Sequence, residues 1–561
     1  MTLVPAEPVD NATLSIQCID VDDVSINVRE EETTSVLVVG GSLVGLSAAV
    51  FLGWRGVPSV LVERHQGSHL HPRAIGYTAR TLELYRTVGL GQLIPEVPPD
   101  FRLRRCRVES LAGEWFDASH WTPETKQAAP TLEYSRHTGA ALAPDRLEPL
   151  LRDKARALGA DQRLGTELVR VEQDSARVTA TLRERSGREY TLRAAYLIAA
   201  DGSGSSVREA LGIGRQGPGH LKTIRSVLFR APLEQYLEKG ISQFEIDQPD
   251  FKGFLTTYAD GRWVLMFDDT DRDEAALRVA IQKAIGRTDL PIEIITTGRW
   301  ELTALITNRF ASRRIFLAGD AAHTLPPTRG GFGANTGIHD VHNLAWKLSA
   351  VLSGVSAPEL LETYDAERRP VAWGRLEQTF ARPDYAQVSA GIADGVAILD
   401  EAAMEFGELY RSSAIIGASE ELPTAARPDE WAGQPGTRAP HLWTERDGER
   451  VSTLDLFERG WVLLAEDARW SSASTKAYEA LGIPVETLVF GVDLKSADQA
   501  EFRKAFGIQW DGASLIRPDG FIAWRSVEAP PDPARALTAA LGDVSSATRR
   551  LVRPRESANA M

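Results

Sequence analysis

Cysteine is almost absent from this chain, since only Cys18 and Cys106 occur among its 561 residues. Two cysteines exclude a disulfide-rich scaffold, and with no basic-then-apolar stretch at the start they favour a reducing cytoplasm. Positive charge is also in deficit, because the formal net charge is −14. An acidic chain disfavours nucleic acid and anionic membranes as partners. We therefore expect a cytoplasmic protein without such partners, and no residue is assigned to a metal site.

Hydrophobic residues make up 43% of the chain, which supports well-formed cores rather than disorder. The length is sufficient for three domains. Residues 1–34 differ from the rest because they are acidic and only weakly periodic. We interpret them as a flexible extension and assign them no role.

A first motif, VLVVGGSLVGL, occupies residues 36–46. An apolar run ends at two glycines and is followed by small and apolar residues, which predicts a strand, a tight turn and a buried helix. Gly40 would permit the turn and Gly45 a close approach of the helix, whose first amides would hold a pyrophosphate. A second predicted strand ends in a carboxylate about twenty residues later, suited to a ribose. The residues assigned to the cofactor here are Gly40, Ser42, Leu43, Gly45, Glu63 and Arg64.

Ser42 departs from the glycine pattern of such turns, although its small side chain still permits close approach. Two alternatives compete with this interpretation. Residues 35–54 carry no charge and are long enough to span a bilayer. A plain NAD-binding turn is the other alternative, and only the later motifs argue against it.

A second motif, IFLAGDAAHTLPPTRGGFGANTGIHD, covers residues 315–340. It predicts a strand that ends at Gly319, an irregular stretch, and a helix that starts near Asn335 with Asn335 or Thr336 as its cap. Such a helix start would stabilise negative charge on a reduced flavin. Asp320 either accepts hydrogen bonds from a sugar chain or only caps a turn. His323 is interpreted as structural.

These motifs, with ADGSGSSVR at 200–208, resemble the signatures of the single-component FAD-dependent aromatic hydroxylases. The resemblance covers nearly all of residues 35–550 and is strongest with enzymes that hydroxylate phenols and aromatic polyketides in bacterial secondary metabolism. It implies that NADPH or NADH reduces a non-covalent FAD. Oxygen would then form a flavin C4a-hydroperoxide that oxidises an electron-rich ring carbon.

The resemblance also implies roles for individual residues. Asp201 and Arg208 would lie near the diphosphate and the nicotinamide entry side, and Asp320 would contact the flavin sugar chain. The family also places an arginine near flavin and pyridine nucleotide, which is Arg73 here. Many relatives carry a flavin-contacting glutamine where this chain has Pro144. The isoalloxazine would be bordered by Pro326, Pro327, Gly333 and Asn335.

Residues 225–300 alternate apolar and polar positions, which predicts an antiparallel sheet with one covered face. We expect this sheet to form the substrate domain, although each aromatic residue taken singly is better explained as core. The residues assigned to the pocket are Phe254, Tyr258, Trp263 and Phe267, with Met266 as a further candidate.

The order of predicted elements after residue 425 resembles a thioredoxin-like fold, with a β-hairpin about Pro518-Asp519-Gly520. No C-x-x-C pair is present there, so a structural or dimer-stabilising role is expected. The predicted fold class is α/β, a Rossmann-type FAD-binding domain with an inserted antiparallel sheet and this third domain. The predicted boundaries are 35–100, 139–216 and 303–395 for FAD, 101–138 and 217–302 for substrate, 396–424 for a linker and 425–561 for the last domain.

Three functions remain open at this point. Hydroxylation of a polyketide-like phenol leads, and Baeyer-Villiger or epoxidising oxygenation of a similar substrate is the second, because pocket geometry decides between them. The W-x-W-x-I-P motif of flavin halogenases is absent. The third function is a non-catalytic flavoprotein that binds a metabolite, as in some resistance proteins. No catalytic base is assigned, and a homodimer is possible.

Overall fold

The computed structural model describes ten parts of the chain, which are residues 32–68, 76–99, 104–120, 132–268, 273–327, 332–382, 385, 391–457, 459–495 and 498–548. Its strands are β1 (Glu32–Val39), β2 (Ser59–Glu63), β3 (Gly76–Tyr77), β4 (Arg104–Val108), β5 (Trp115–His120), β6 (Ala140–Ala141), β7 (Asp161–Leu164), β8 (Thr166–Gln173), β9 (Val178–Glu184), β10 (Glu189–Ala199), β11 (Arg215–Arg230), β12 (Gln243–Asp247), β13 (Lys252–Thr257), β14 (Arg262–Asp268), β15 (Glu293–Thr307), β16 (Ala311–Ser312), β17 (Ile315–Leu317), β18 (His323–Thr324), β19 (Trp443–Arg446), β20 (Glu449–Ser452), β21 (Trp461–Ala465), β22 (Val485–Val489), β23 (Ala513–Ile516) and β24 (Ile522–Ser526).

Twelve α-helices accompany these strands in the described residues. They are α1 (Leu43–Trp54), α2 (Ala79–Thr87), α3 (Pro144–Ala157), α4 (Ser206–Ala210), α5 (Glu274–Ile285), α6 (Phe332–Leu352), α7 (Thr363–Phe380), α8 (Glu401–Phe406), α9 (Pro428–Trp431), α10 (Arg469–Leu481), α11 (Gln499–Phe506) and α12 (Pro533–Val544). Within the described chain, no helix is long and apolar enough to cross a membrane. The uncharged stretch that raised this alternative divides into β1, a turn and a twelve-residue helix.

The first sheet contains five parallel strands in the order β17-β10-β1-β2-β7. The carboxyl-terminal halves of β1 and β10 and all of β17 are buried and mostly apolar because helices cover this part of the sheet, as is usual for buried parallel strands. The edge strand β7 is mostly polar and only partly buried. Helix α1 is buried along most of its length against this sheet and against α6. The carboxyl ends of β17, β10 and β1 therefore lie side by side, where open α/β sheets bind their ligands.

The second sheet is mostly antiparallel, in the order β18-β15-β11-β14-β13-β12-β4-β5. Helix α5 covers one face, and its Leu277 and Ile281 share a core with Trp263 and Phe267 of β14. The opposite face continues along β15 to Ala304 and Ile306, which belong to the core of the first sheet. The predicted covered sheet is thus present, and its other face lies toward the Rossmann-type sheet.

The C-terminal part contains the four-stranded sheet β22-β21-β23-β24 with α10 and α12 packed on it. Strands β21 and β22 are parallel, whereas β23 pairs antiparallel with β21 and β24. This βαβαββα order is the predicted thioredoxin-like fold. The predicted hairpin about residues 518–520 is also confirmed, since it joins β23 to β24.

Some predicted limits differ from the structure. Strand β1 begins at Glu32, three residues inside the proposed extension, because residues 32–34 pair with β10. Residues 1–31 lie outside the described residues. The segment proposed as a linker contains α8 and buries Met404 and Tyr410 against the rest of the molecule. Strands β11 and β15 also run across the proposed boundaries between the first two domains, which therefore stay a prediction.

Candidate functional site

The turn after β1 is built on glycines that tolerate no side chain. Gly40 has a φ of +107°, and a Cβ there would lie 2.2 Å from the carbonyl oxygen of Ala200. A Cβ on Gly45 would lie 1.8 Å from the carbonyl oxygen of Gly40. Both glycines are therefore required for α1 to begin directly above the ends of β1 and β10, as the sequence predicted.

Ser42 directs its side chain away from the capping position of α1. Its backbone is extended and its hydroxyl does not cap the helix, but donates to Glu148 Oε1 of α3 at 3.2 Å. The first turn of α1 contains no acidic residue, and Leu43 is buried at its start. The first amides of a helix lack partners within the helix, so this end is suited to a pyrophosphate.

Glu63, at the end of β2, stabilises the same turn by hydrogen bonding. Its Oε2 accepts from the Gly41 amide at 2.7 Å, and its Oε1 accepts from the His65 amide at 2.9 Å. Burial alone would raise the pKa of Glu63, but these hydrogen bonds and the His65 ring lower it, so the carboxylate is ionised. A Cβ on Gly41 would lie 2.6 Å from Glu63 Cβ, a requirement that the sequence analysis missed. Arg64 beside it is exposed.

The segment after β10 lies against the glycine turn. Asp201 Oδ2 accepts from the Val207 amide at 3.3 Å, and the side chain of Ser205 caps α4 through the Arg208 amide at 3.0 Å. The Arg208 guanidinium donates to the carbonyl oxygen of Ser203 at 2.9 Å. Burial and the neighbouring Arg215 lower the pKa of Arg208. Asp201 and Arg208 therefore shape this loop, and their proposed contacts with cofactors stay predictions.

The turn after β17 is held in place by the buried carboxylate of Asp340. Gly319 has a φ of +58°, and Asp320 follows it with an exposed side chain. Asp340 Oδ2 of α6 accepts from the Gly319 amide at 3.2 Å and contacts His323 Nε2 at 2.7 Å. Burial would raise the pKa of Asp340, but His323 and Arg368 lower it. His323 is thus a buried structural partner, as expected, and Asp340 is a site residue that the sequence analysis overlooked.

Asn335 does not cap α6, because this helix already includes Phe332 and Gly333. It is buried in the first turns, where its Oδ1 accepts from Thr81 Oγ1 at 2.6 Å and its Nδ2 donates to the carbonyl oxygen of Gly76 at 3.1 Å. The prediction of a cap was wrong because the glycines before Asn335 were taken to exclude helix. Asn335 instead joins α6 to α2.

Two further cofactor candidates are prolines. Pro327 is exposed, and its carbonyl oxygen accepts from Tyr385 Oη at 2.7 Å. Pro144 is the first residue of α3, where its ring offers no hydrogen bond in place of the family's glutamine. Arg73 lies outside the described residues.

The three motifs are brought together at one edge of the parallel sheet. The Ala200 amide donates to the carbonyl oxygen of Val39 at 2.8 Å, and the Ala318 amide to that of Ala199 at 2.9 Å. A Cβ on Gly337 would lie 2.7 Å from Val44 of α1, so α6 and α1 are also in close contact. A glycine cradle, an uncapped helix start and carboxylates at strand ends fit a dinucleotide cofactor.

The pocket candidates lie on two different faces of the second sheet. Trp263 and Phe267 are buried in the core beneath α5, so their assignment to the pocket was wrong. Alternation along a strand places Met266 on the opposite face, and Phe254 is its direct neighbour on β13. Both are partly exposed. Tyr258 lies in the following turn, where the Arg262 guanidinium is 5.2 Å from its ring centre.

Comparisons with known proteins agree with this geometry. Residues 33–379 match the family model of the FAD binding domain, and residues 432–547 match that of the aromatic-ring hydroxylase C-terminal domain. The 4-methyl-5-nitrocatechol 5-monooxygenase of a Burkholderia species is 38% identical over 90% of this chain and 96% of its own length. The tetracenomycin A2 monooxygenase-dioxygenase of Streptomyces glaucescens is 37% identical over 92% and 98%.

A solved structure shows the same architecture. The ternary complex of aklavinone-11 hydroxylase with FAD and aklavinone superposes with a TM-score of 0.83 at 36% identity, over 92% of this chain and 99% of that one. The protein is therefore a flavoprotein monooxygenase with FAD as its cofactor. More particularly, the chain belongs to the FAD-dependent aromatic hydroxylases, a family whose reductant is NAD(P)H.

Proposed function

We propose that this monooxygenase hydroxylates a polycyclic aromatic substrate of the polyketide type. The observation that carries the proposal is the pair Phe254 and Met266, which lie side by side, partly exposed, on the face of the second sheet opposite α5. Two adjacent, partly exposed apolar side chains of this kind suit contact with a planar ring system. Similar proteins named for tetracenomycin and aklavinone support the same substrate class.

The bound flavin supplies the activation of oxygen, and the protein positions the two ring systems. We infer that the pyrophosphate lies at Gly40, Ser42, Leu43 and Gly45, and that Glu63, with Arg64, faces the ribose. Asp320 would accept from the flavin sugar chain, because its side chain is exposed beside a turn of fixed conformation. Pro327, Gly333 and Asn335 would border the ring, while Asp201 and Arg208 shape the diphosphate side.

The sugar-chain assignment is tested by Asp320→Ala. Loss of one acceptor should weaken FAD binding about tenfold, because hydrogen bonds to charged groups contribute roughly 1.5–3 kcal/mol. Asp161→Ala, an exposed carboxylate on the edge strand β7, serves as the control. Unchanged FAD content in the purified Asp320→Ala enzyme would contradict this placement.

The reaction is tested by aerobic NADPH and NADH consumption with a panel of monocyclic phenols, naphthols and tetracyclic polyketides. We expect tetracyclic compounds to accelerate oxidation and to gain the mass of one oxygen atom. Product NMR separates ring hydroxylation from Baeyer-Villiger insertion or epoxidation. Turnover of monocyclic phenols alone would overturn the proposed substrate class.

The proposed substrate face is tested by a pair of adjacent residues. Phe254→Ala should raise the KM for the accepted substrate about three- to tenfold, since an aromatic pair contributes roughly 0.5–1.5 kcal/mol beyond the area that it buries. Leu255→Val changes the next residue, which points into the core under α5. It should lower stability and leave KM unchanged. An equal effect on KM in both variants would contradict the assignment of this face.

We also infer a cytoplasmic location from the scarcity of cysteine, with Cys106 buried and reduced. The proposed domain boundaries and a homodimer remain predictions. Light scattering of the purified holoenzyme decides the oligomeric state, and a mass of one chain would reject the dimer.

A further inference from the structure

The tip of the β23–β24 hairpin reaches from the thioredoxin-like domain into the flavin-binding domain. Arg517 and Asp519 at this tip are 0% and 1% exposed. The Arg517 guanidinium donates to both oxygens of Glu367 on α7, at 2.6 and 2.9 Å. Asp519 Oδ2 accepts from Trp346 Nε1 of α6 at 3.0 Å. The hairpin tip is thus hydrogen-bonded to both α6 and α7.

Glu367 is the point at which three elements meet. Besides Arg517 it accepts from Lys347 Nζ of α6 at 2.8 Å and from Ser412 Oγ at 2.7 Å. Burial would raise the pKa of Glu367, but Arg517 and Lys347 hold it far below its ordinary value. Burial also lowers the pKa of Lys347 to about 8, against the opposing effect of Glu367. This carboxylate therefore fixes the hairpin, α6 and α7 relative to one another.

Arg368, the next residue of α7, continues the network toward the flavin side. Its Nε donates to Asp340 Oδ1 at 2.8 Å, and its Nη1 donates to Tyr410 Oη at 2.8 Å. The Tyr410 ring is stacked on Phe521 of the hairpin, with centres 4.0 Å apart and planes at 11°. The hairpin therefore contacts two neighbours of Arg368. These are Glu367, the preceding residue of α7, and Tyr410, which accepts a hydrogen bond from Arg368.

Asp340 connects Arg368 to the turn after β17, because it is hydrogen-bonded to the Gly319 amide and to His323, on either side of Asp320. We infer that the hairpin tip positions the flavin-binding turn: Arg517 and Phe521 hold Glu367 and Tyr410, and through them Arg368 and Asp340 keep residues 319–323 in place. The inference rests on the proposed location of the flavin sugar chain at Asp320.

Physical chemistry favours a rigid link of this kind. Charged groups buried without water are stable only when they are paired, so a displaced hairpin would weaken the pairing of Glu367 with Arg517. Ligand-contacting groups need such a supporting layer to hold their geometry. The domain carries no C-x-x-C pair for redox work. Arg517 and Phe521 thus act as positioning residues, through Glu367 and Tyr410.

The test compares FAD affinity with stability in the full chain. FAD fluorescence is used to measure the dissociation constant well below the melting temperature, which is recorded for each variant. Arg517→Met should weaken FAD binding about tenfold and Phe521→Leu about threefold, the range expected for changes along a coupling network. Arg517→Lys, which retains the charge, should restore part of the loss.

Leu515→Ala is the matched control, because Leu515 lies in the same hairpin but packs in the core around Trp470. It should lower the melting temperature at least as much as Phe521→Leu and leave FAD affinity within about twofold. Phe521→Leu keeps an apolar side chain, so the test does not depend on whether Arg517→Met folds.

Two results would overturn the inference in distinguishable ways. The hairpin has no positioning role if Asp320→Ala weakens FAD binding and the hairpin variants do not. The same conclusion holds if the hairpin variants weaken FAD binding only in proportion to their loss of stability, as Leu515→Ala does. If Asp320→Ala itself leaves FAD affinity unchanged, the proposed sugar-chain site fails and the inference fails with it.

Discussion

The flavin-binding part of the molecule contacts the antiparallel sheet and the thioredoxin-like domain through two different kinds of junction. Toward the sheet, strand β15 carries Ala304 and Ile306 directly into the flavin-domain core. The ion pair at this junction, between Arg262 and Asp145, measures 2.8 Å and keeps some contact with solvent. Toward the thioredoxin-like domain, Arg517 and Glu367 are both removed from water.

The two junctions are specified by different interactions. A junction made by a continuous strand and apolar packing follows from the chain path and tolerates the loss of one polar group. A junction that adds buried charges to apolar packing, such as that of Trp346 against Trp461, is more restricted, because a mismatch leaves an unpaired charge. We therefore expect single substitutions to damage the second junction much more than the first.

Removal of Glu367 should have the largest effect. Glu367→Ala leaves Lys347 buried without a carboxylate partner and Arg517 with Asp519 alone, which should cost about 3–5 kcal/mol of unfolding free energy. Urea denaturation measures the loss. The control is Asp161→Ala, which breaks an exposed pair with Arg163 and should cost under about 0.5 kcal/mol. Equal losses in the two variants would remove the contrast between buried and exposed pairs.

Double-mutant cycles measure the coupling energy of one ion pair at each junction. The cycle of Arg517→Met with Glu367→Gln should give a coupling of about 2 kcal/mol, whereas Arg262→Met with Asp145→Asn should give less than about 1 kcal/mol. Both cycles are measured by the same urea denaturation. A coupling at Arg262 equal to or above that at Arg517 would contradict our account of the junctions.

The pH dependence of the second junction should come partly from Glu405. This residue of α8 accepts from the Arg80 amide at 3.2 Å and lines a polar cavity of about 20 Å³ beside the hairpin. Burial, with Glu401 and Glu83 as like charges, raises its pKa to about 7. An acid whose pKa is raised by folding stabilises the protein fully below about pH 4.5, and this contribution is lost as the pH rises through 7.

Glu405→Gln mimics the protonated carboxyl group at every pH. Between pH 5 and 8 the wild type should therefore lose about 1–2 kcal/mol relative to this variant. Unfolding free energies at four pH values provide the measurement, and Glu420→Gln, at an exposed carboxylate, is the control. Parallel profiles for wild type and Glu405→Gln would show that Glu405 titrates normally.

The smallest effect is expected at the first junction. Arg262→Met leaves Asp145 and Asp260 partly exposed to water, so the loss should be about 1 kcal/mol. Thermal unfolding of the holoenzyme measures it. A loss above that of Glu367→Ala would reverse the comparison.

Local signals in the sequence predicted much of the fold. The turn at Gly40, helix α1 and the hairpin at 518–520 each depend on neighbouring residues, and the structure contains all three. The buried face of each strand was harder to predict. Alternation places Phe254 and Trp263 on opposite faces of the sheet, but it does not indicate which face a helix covers. Asn335 was misplaced for a similar reason, since its partners in α2 lie about 250 residues away.

Short-range patterns along the chain were sufficient to predict the parallel sheet with its glycine turn, the resemblance to flavin hydroxylases and the absence of a redox pair in the last domain. Steric limits and strand periodicity act within a few residues, so they can be read along the chain. The hydrogen bonds of Asp340 to the Gly319 turn and of Arg517 to Glu367, 150 residues earlier, could be identified only in the folded molecule. Such pairs arise because burial removes water, and burial is a property of the folded molecule.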